Sequence, residues 1–172
     1  KLPKSYKRIF IKNSMRHIKL YTDGSSIGNP GPGGYGIILE LEKKNYIKEY
    51  SRGFVYTTNN RMELLAVVVA LEKLKVKKAN VKVFTDSKYI VDSVELKRIF
   101  KWENNNFKKI KNPDLWIRFL KMNEKHNVKF NWIKGHNNHP QNERCDRLAV
   151  DAAKNNPIEH DSYYEKLNNK VN

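Results

Sequence analysis

The sequence of 172 residues predicts one α/β domain built on a mixed five-stranded sheet, with three antiparallel strands, two parallel strands and helices on its faces. Three strand-like runs come first and lie close together, so short hairpin connections can join them. The later strands each follow a helical segment, and a helical crossover makes a strand parallel to its neighbour. No run approaches the length of a membrane span and no signal-peptide pattern appears, so we expect no membrane partner.

The first three strands are predicted from alternation and turn residues. Residues 18–22 alternate in polarity and precede a loop, 28–34, that is rich in glycine and proline. Residues 35–41 and 46–55 are the second and third strands, and the Lys-Lys-Asn segment 43–45 suits a hairpin between them. These runs predict consecutive antiparallel strands.

Helices and strands alternate in the rest of the domain. Threonine and asparagine side chains at 57–60 can cap a helix that runs to about Lys75. Pro140 suits the first position of a last helix that ends near Lys154. Between these helices the sequence predicts, in order, a strand over 81–85, a helix over 87–100, a helix from 113 or 114 to 125, and a strand over 128–133.

The chain is strongly basic, with 34 Lys and Arg against 18 Asp and Glu, a formal net charge of +16. A charge of that size fits a polyanionic partner such as nucleic acid. The competing interpretation is that the positive charge serves solubility and reflects a general bias toward Lys and Asn in the composition. Net charge alone does not decide between these two interpretations. Cys145 is the single cysteine, so no intrachain disulfide can form; this fits a reducing compartment, and we expect a cytoplasmic protein.

Four carboxylates lie in or beside otherwise apolar segments: Asp23, Glu63, Asp86 and Asp146. Taken singly, Asp23 fits a surface turn, Asp86 fits a helix cap and Asp146 fits a solvated helix position. Glu63 is harder to explain in this way, because it is the one charged residue in 62–71. Gathered at one sheet edge, the four would repel one another strongly unless hard divalent cations lay between them. Such a cluster is a common design for hydrolysing phosphodiester bonds.

The motifs around these carboxylates resemble type 1 ribonuclease H of the bacterial kind. They are, in family order, Thr22-Asp-Gly-Ser with Gly28-Asn-Pro-Gly-Pro-Gly-Gly-Tyr-Gly36, Thr57-Thr-Asn-Asn-Arg-Met-Glu63, Thr85-Asp-Ser-Lys-Tyr89, and Trp132-Ile-Lys-Gly-His with His139-Pro-Gln-Asn-Glu-Arg-Cys-Asp146. The resemblance covers about residues 16–155 and implies a ribonuclease H-like fold. It also implies sequence-nonspecific, endonucleolytic hydrolysis of the RNA strand of RNA–DNA hybrids, with roles in removing RNA primers and R-loop hybrids during DNA replication and repair.

The resemblance also assigns roles to individual residues. The four carboxylates match the family's catalytic metal ligands; two Mg²⁺ ions, replaceable by Mn²⁺, are implied, and Asp23 is the candidate to bridge them. His136 matches a catalytic histidine in a mobile loop, which can shuttle a proton or help product leave; the alternative is an exposed loop histidine. The positions that touch the substrate backbone in the family are matched by Asn29, Thr58, Asn59 and Asn60, although Thr58 and Asn59 also suit helix capping.

Residues 95–112 are a second candidate binding segment. Six cations against two carboxylates give the part from 95 to 111 a local charge of +4, with aromatic residues interspersed. The segment resembles the basic protrusion that grips the hybrid in some family members, a few residues shorter here, and its cations are expected to act through phosphates. The competing interpretation is a solvated helix end. The candidate substrate contacts in this segment are Lys97, Lys101, Trp102, Lys108 and Lys109.

The expected organisation is a basic N-terminal extension over 1–14, a catalytic domain over 15–156 and a C-terminal tail over 157–172. We expect a monomeric, stand-alone enzyme. The alternatives are a ribonuclease H domain cut from a larger polyprotein such as a reverse transcriptase, an inert hybrid-binding module, and a related nuclease that acts on DNA. The complete set of carboxylates weighs against the inert module, and the motifs at 57–60 and 134–136 weigh against the DNA nuclease.

Overall fold

A computed structural model describes residues 16–42, 45–135 and 138–168 of the chain. The elements in chain order are β1 (Arg16–Ser26), β2 (Gly31–Leu41), β3 (Tyr46–Thr57), α1 (Asn59–Glu72), β4 (Ala79–Thr85), α2 (Lys88–Glu95), α3 (Arg98–Asn104), α4 (Pro113–Lys125), β5 (Asn127–Trp132), α5 (Pro140–Asn155), β6 (Pro157–Glu159) and α6 (Ser162–Asn168). The predicted α/β class is confirmed. No helix in the described ranges is long and apolar enough to cross a bilayer.

The strands form one mixed sheet in the order β5-β4-β1-β2-β3-β6. β1, β2 and β3 are antiparallel neighbours, as predicted, and β4 and β5 run parallel to β1. The predicted count of five strands was wrong, because β6 adds a sixth beside β3. Its three residues begin with a proline, so β6 is too short to show the alternation by which strands are recognised in a sequence.

The helix predicted over 87–100 is two helices. Lys97 has a left-handed backbone with φ of 57°, and a right-handed helix cannot continue through such a residue. α3 then runs to Asn104, inside the basic segment 95–112. Neither glycine nor proline marks this break in the sequence, which is why residue preference predicts one continuous helix.

Helices cover both faces of the sheet and create two apolar clusters. α1 packs on the face where Ile18 and Leu20 join the main core. α5 packs on the opposite face, where Tyr21 and Ile38 meet Cys145. Adjacent residues of β1 therefore enter different clusters, as the pleat of a strand requires.

The segment 157–168, part of the predicted C-terminal tail, packs on the domain. β6 pairs with Gly53 and Phe54 of β3. Tyr164 of α6 contacts Tyr56, with ring centroids 5.7 Å apart. The boundary after residue 156 and the separate N-terminal extension stay predictions; residues 1–14 lie outside the described residues, as does most of the predicted hairpin 43–45.

Candidate active site

The parallel pairing of β1 with β4 places two predicted carboxylates side by side. Tyr21 pairs with Phe84, and Asp23 and Asp86 each follow two residues later. The carboxyl ends of parallel strands meet at the same edge of a sheet, which is where ligands bind in folds of this type. Strand register alone therefore brings Asp23 and Asp86 to one edge.

Glu63 reaches this edge because α1 starts against β1. Gly24 permits the close approach, since a Cβ atom at this position would lie 2.1 Å from the backbone nitrogen of Glu63. Thr58 is the N-cap of α1, and its hydroxyl accepts a hydrogen bond from the Arg61 backbone N–H at 3.4 Å. The Asp23-Gly24 pair lies within β1 and is not a surface turn.

Asp23, Glu63 and Asp86 converge, with one carboxylate oxygen of each within 4.8 Å of the others. Asp23 is buried and the other two are half-buried. Burial raises the pKa of Asp23 to about 8; the charges of Asp86, Asp146 and Glu63 add to this effect, and a bond from the Gly24 N–H at 2.8 Å opposes it. Burial, with the Asp86 charge, also raises the pKa of Glu63. Full ionisation of this cluster therefore requires a compensating positive charge.

Asp146 stands apart from these three residues. It lies in the second turn of α5 and is half-buried, and its charge contributes to the raised pKa of Asp23. Its carboxylate is not one of those that converge within 4.8 Å. The structure thus brings three of the four predicted carboxylates together and places the fourth close enough to act on Asp23 through its charge.

Asp86 is held by residues at the end of β5 and just beyond it. The Trp132 indole N–H donates to the backbone oxygen of Asp86 at 3.0 Å. A Cβ atom on Gly135 would lie 2.6 Å from a carboxylate oxygen of Asp86, so a side chain at this position would displace that carboxylate. The N-cap of α2 is Ser87, so Asp86 is not the capping residue. Trp132 and Gly135 were not among the predicted site residues, although both lie in the motif that contains His136.

His136 itself lies outside the described residues, and its assignment stays a prediction. His139, at the N-cap of α5, is packed beside Tyr21 with ring centroids 5.6 Å apart. The His139 ring therefore packs on the sheet at the start of the helix that carries Asp146.

The donors of the cluster are all carboxylate oxygens, which suit a hard divalent cation such as Mg²⁺ or Mn²⁺. The single cysteine offers no alternative thiolate. Cys145 is buried, its thiol donates to the backbone oxygen of Tyr21 at 3.3 Å, and burial, with the Asp23 charge, raises its pKa. Asp23, Glu63 and Asp86 can therefore hold a metal ion at this edge of the sheet.

The predicted substrate contacts near α1 connect directly to the carboxylates. The Asn59 amide donates to Glu63 Oε1 at 2.8 Å, and the Asn59 backbone N–H donates to Asn29 Oδ1 at 3.2 Å. Thr58 is half-buried and Asn60 is exposed. Asn59 thus orients a carboxylate, and Asn29 and Asn60 are open to solvent beside it.

The basic protrusion combines apolar anchors with exposed cations. Trp102 is half-buried, with its ring 5.6 Å from that of Trp116 in the core. Phe107 and Ile110 also pack partly on the core. The predicted cations are all exposed: Lys97, Lys101, Lys108 and Lys109. Trp102 therefore anchors the protrusion, and the lysines are its outward-facing groups.

A carboxylate cluster at one edge of a mixed sheet with helices on both faces suits the cation-dependent hydrolysis of phosphodiester bonds. The sequence profile of the family RNase H matches residues 15–154. The chain belongs to the RNase H family.

Relatives of known sequence agree with this membership. The chain is 55% identical over 146 residues to a Ribonuclease H of Desulforamulus reducens, which covers 82% of this chain and 90% of that protein. It is 48% identical over 153 residues to a Ribonuclease H of Trichodesmium erythraeum, which covers 86% of this chain and 96% of that protein. The chain is thus a hydrolase of the ribonuclease H type, as the motifs implied.

Solved structures give the same result. LC9-RNase H1, described as a type 1 RNase H with the type 2 active-site motif, is similar with a TM-score of 0.73 and 32% identity, covering 81% of this chain and 72% of that one. LC11-RNase H1, solved in complex with an RNA/DNA hybrid, has a TM-score of 0.60 and 32% identity, covering 79% of this chain and 96% of that one. The predicted ribonuclease H-like fold is confirmed.

Proposed function

We propose that the chain is an endoribonuclease that hydrolyses the RNA strand of RNA–DNA hybrids without base-sequence preference. The observation that carries the proposal is the convergence of Asp23, Glu63 and Asp86 within 4.8 Å at one sheet edge of an RNase H family member. The relative solved with an RNA/DNA hybrid supports this choice of substrate. Removal of RNA primers and R-loop hybrids would follow from this activity.

The proposed cofactor is a pair of Mg²⁺ ions, for which Mn²⁺ can substitute, held by Asp23, Glu63, Asp86 and Asp146. The all-oxygen donors fit these cations, and the raised pKa of Asp23 and of Glu63 indicates that the cluster needs positive charge. When bound, such ions supply a nucleophilic water at neutral pH and offset the charge that develops on the scissile phosphate.

The protein's own residues orient these groups. Asp23 is proposed as the central ligand that would hold the ions, because the charges of the other three carboxylates all act on it. Asn59 fixes one oxygen of Glu63, and Trp132 fixes the backbone of Asp86. His136 is proposed to assist a proton transfer or product departure.

We propose that the protein recognises the shape of the hybrid duplex and not its base sequence. Short polar side chains at 58–60 and at Asn29 suit the sugar-phosphate backbone and the 2′-OH of the RNA strand. The exposed lysines of the basic protrusion suit phosphates, whose counterions are released on binding. A monomeric state and a cytoplasmic location stay predictions from the sequence.

Incubation of the protein with labelled RNA–DNA hybrid, duplex RNA and duplex DNA, with and without Mg²⁺, tests the proposal. We expect cleavage of the RNA strand of the hybrid only, and only with the metal. Asp23→Asn should abolish it, whereas Asp151→Asn, at an exposed position on α5, should not. Cleavage of duplex DNA, cleavage in a chelator, or near-normal turnover by Asp23→Asn would contradict the proposal.

A further inference from the structure

Arg61 is a buried cation where three segments meet. The residue is 2% exposed, and each of its five guanidinium N–H donors has an acceptor. Asp114 accepts two of them at 2.9 and 2.8 Å, and Asp161 accepts two at 2.7 and 2.9 Å. Asn112 accepts the fifth at 3.3 Å. The guanidinium therefore ties the first turn of α1 to the junction between the basic protrusion and α4, and to the C-terminal segment 157–168.

Asp161 is the contribution of the C-terminal segment to this junction. It is 7% exposed, and its Oδ2 also accepts a hydrogen bond from the Thr57 hydroxyl at 2.7 Å. Thr57 is the last residue of β3, and Arg61 lies in the first turn of α1. The two partners of Asp161 thus stand on either side of residues 58–60, which carry the proposed contacts to the hybrid.

The C-terminal segment also forms part of the surface above the junction. The Tyr163 and Tyr164 rings lie 5.3 and 5.8 Å from the guanidinium carbon of Arg61. A groove of about 630 Å³ opens here, and residues of all three segments line it, among them Thr58, Asn60, Lys111, Asn112, Tyr163 and Tyr164. One wall of the groove beside the proposed substrate contacts is therefore built by α6.

We propose that Asp161 is a positioning residue for substrate binding. Through Thr57 and Arg61 it holds residues 58–60 in the geometry that binds the hybrid, and it makes α6, which carries Tyr163 and Tyr164, part of the binding surface. The inference rests on the proposed function. The family profile ends at residue 154, so this segment lies beyond the part of the chain that the profile describes.

The test compares Asp161→Asn with the parent enzyme on an RNA–DNA hybrid. The substitution removes the charge and keeps the size, and Arg61 retains its pair with Asp114. We expect KM, and Kd for the hybrid in a chelator, to rise by about threefold to tenfold, in the lower part of the range of coupling within one hydrogen-bond network. We expect kcat to stay within about twofold of the parent, at a temperature where circular dichroism shows both proteins fully folded.

The salt dependence of hybrid binding separates positioning from direct contact. Asp161 touches no phosphate in this proposal, so the slope of log Kd against log salt should equal that of the parent. Glu159→Gln is the matched control, because Glu159 lies in the same segment and pairs at the surface with Arg52. Its KM, kcat and Kd should remain those of the parent.

Thr57→Val provides a second variant that removes one hydrogen bond and no charge. Thr57→Val should raise KM and Kd as well, by a smaller factor than Asp161→Asn. If Asp161→Asn does not fold, the result for Thr57→Val tests the positioning role. Parent values of KM in the folded variant, a loss confined to kcat, a changed salt slope, or an equal effect of Glu159→Gln would overturn the inference. Failure of the parent to cleave the hybrid would instead overturn the proposed function.

Discussion

Asp23→Asn should stabilise the metal-free protein while it abolishes cleavage. In the folded chain, burial and three neighbouring carboxylates raise the pKa of Asp23 from 3.8 to about 8. A raised folded-state pKa means that the protonated residue contributes stability that is fully present below pH 3.8 and is lost as pH rises through about 8. Asparagine stays neutral at every pH, so the variant does not lose this stability.

The size of the effect follows from the shift. Between the unfolded pKa of 3.8 and pH 7, each pH unit costs the parent about 1.4 kcal/mol, which sets an upper limit of about 4 kcal/mol. Relaxation and water entry reduce this limit, so we expect roughly 2 to 4 kcal/mol. For a chain of this length, that corresponds to a rise in Tm of roughly 5 to 15 °C. At pH 4 the advantage should fall below about 1 kcal/mol.

Urea unfolding followed by circular dichroism in a chelator, at pH 4 and at pH 7, measures this difference. Asp151→Asn on α5 is the control, since this exposed carboxylate should change the free energy of unfolding by less than about 0.5 kcal/mol. Added Mg²⁺ or Mn²⁺ should stabilise the parent more than the Asp23 variant. The reasoning would be refuted if Asp23→Asn were no more stable than the parent at pH 7. It would also be refuted if the difference in free energy of unfolding were the same at pH 4 and pH 7.

Three further predictions concern the basic protrusion, the loop histidine and the N-terminus. Replacement of the four exposed lysines of the protrusion by uncharged residues should raise KM for the hybrid more than it lowers kcat, and it should flatten the salt dependence of hybrid binding. The four are Lys97, Lys101, Lys108 and Lys109. An unchanged salt dependence would show that the protrusion does not touch the substrate. His136→Ala should lower turnover by roughly 100-fold with little change in hybrid or metal affinity. Parent rates in both single-turnover and steady-state assays would make it a surface histidine, and a loss in the steady state alone would assign it to product release. Deleting residues 1–14 should leave cleavage largely unchanged at moderate salt, because β1 begins at Arg16; loss of folding or turnover would contradict the domain boundary.

The parts of the fold that sequence could predict are those with strong local signals. Alternation and turn residues predict β1 to β3, and Pro113 and Pro140 mark the first residues of α4 and α5. The break at Lys97 and the strand β6 lack such signals, because lysine has no preference for the left-handed conformation and three residues are too few to show alternation.

The candidate site also has features that the sequence predicts and features that it does not. Motif order identifies the carboxylates, and strand register explains why Asp23 and Asp86 meet. Sequence does not reveal that Asp146 stands apart from the converging three, since that depends on how α5 packs on the sheet. It also does not reveal the pair of Arg61 with Asp161, which lie 100 residues apart. Contacts of that range leave no periodic pattern.

The start of α1 carries a buried cation, Arg61, and a half-buried carboxylate, Glu63, whose charges are balanced in different ways. Arg61 is neutralised within the protein by two carboxylates, whereas Glu63 faces other carboxylates and has a raised pKa. Residues two apart on a helix do not face each other, so these charges serve different sides of the same turn. Changes around Arg61 should therefore act on substrate affinity, and changes around Glu63 should act on the metal and on turnover. The opposite split, with Asp161→Asn lowering kcat and Asp23→Asn raising only KM, would contradict this division of the turn.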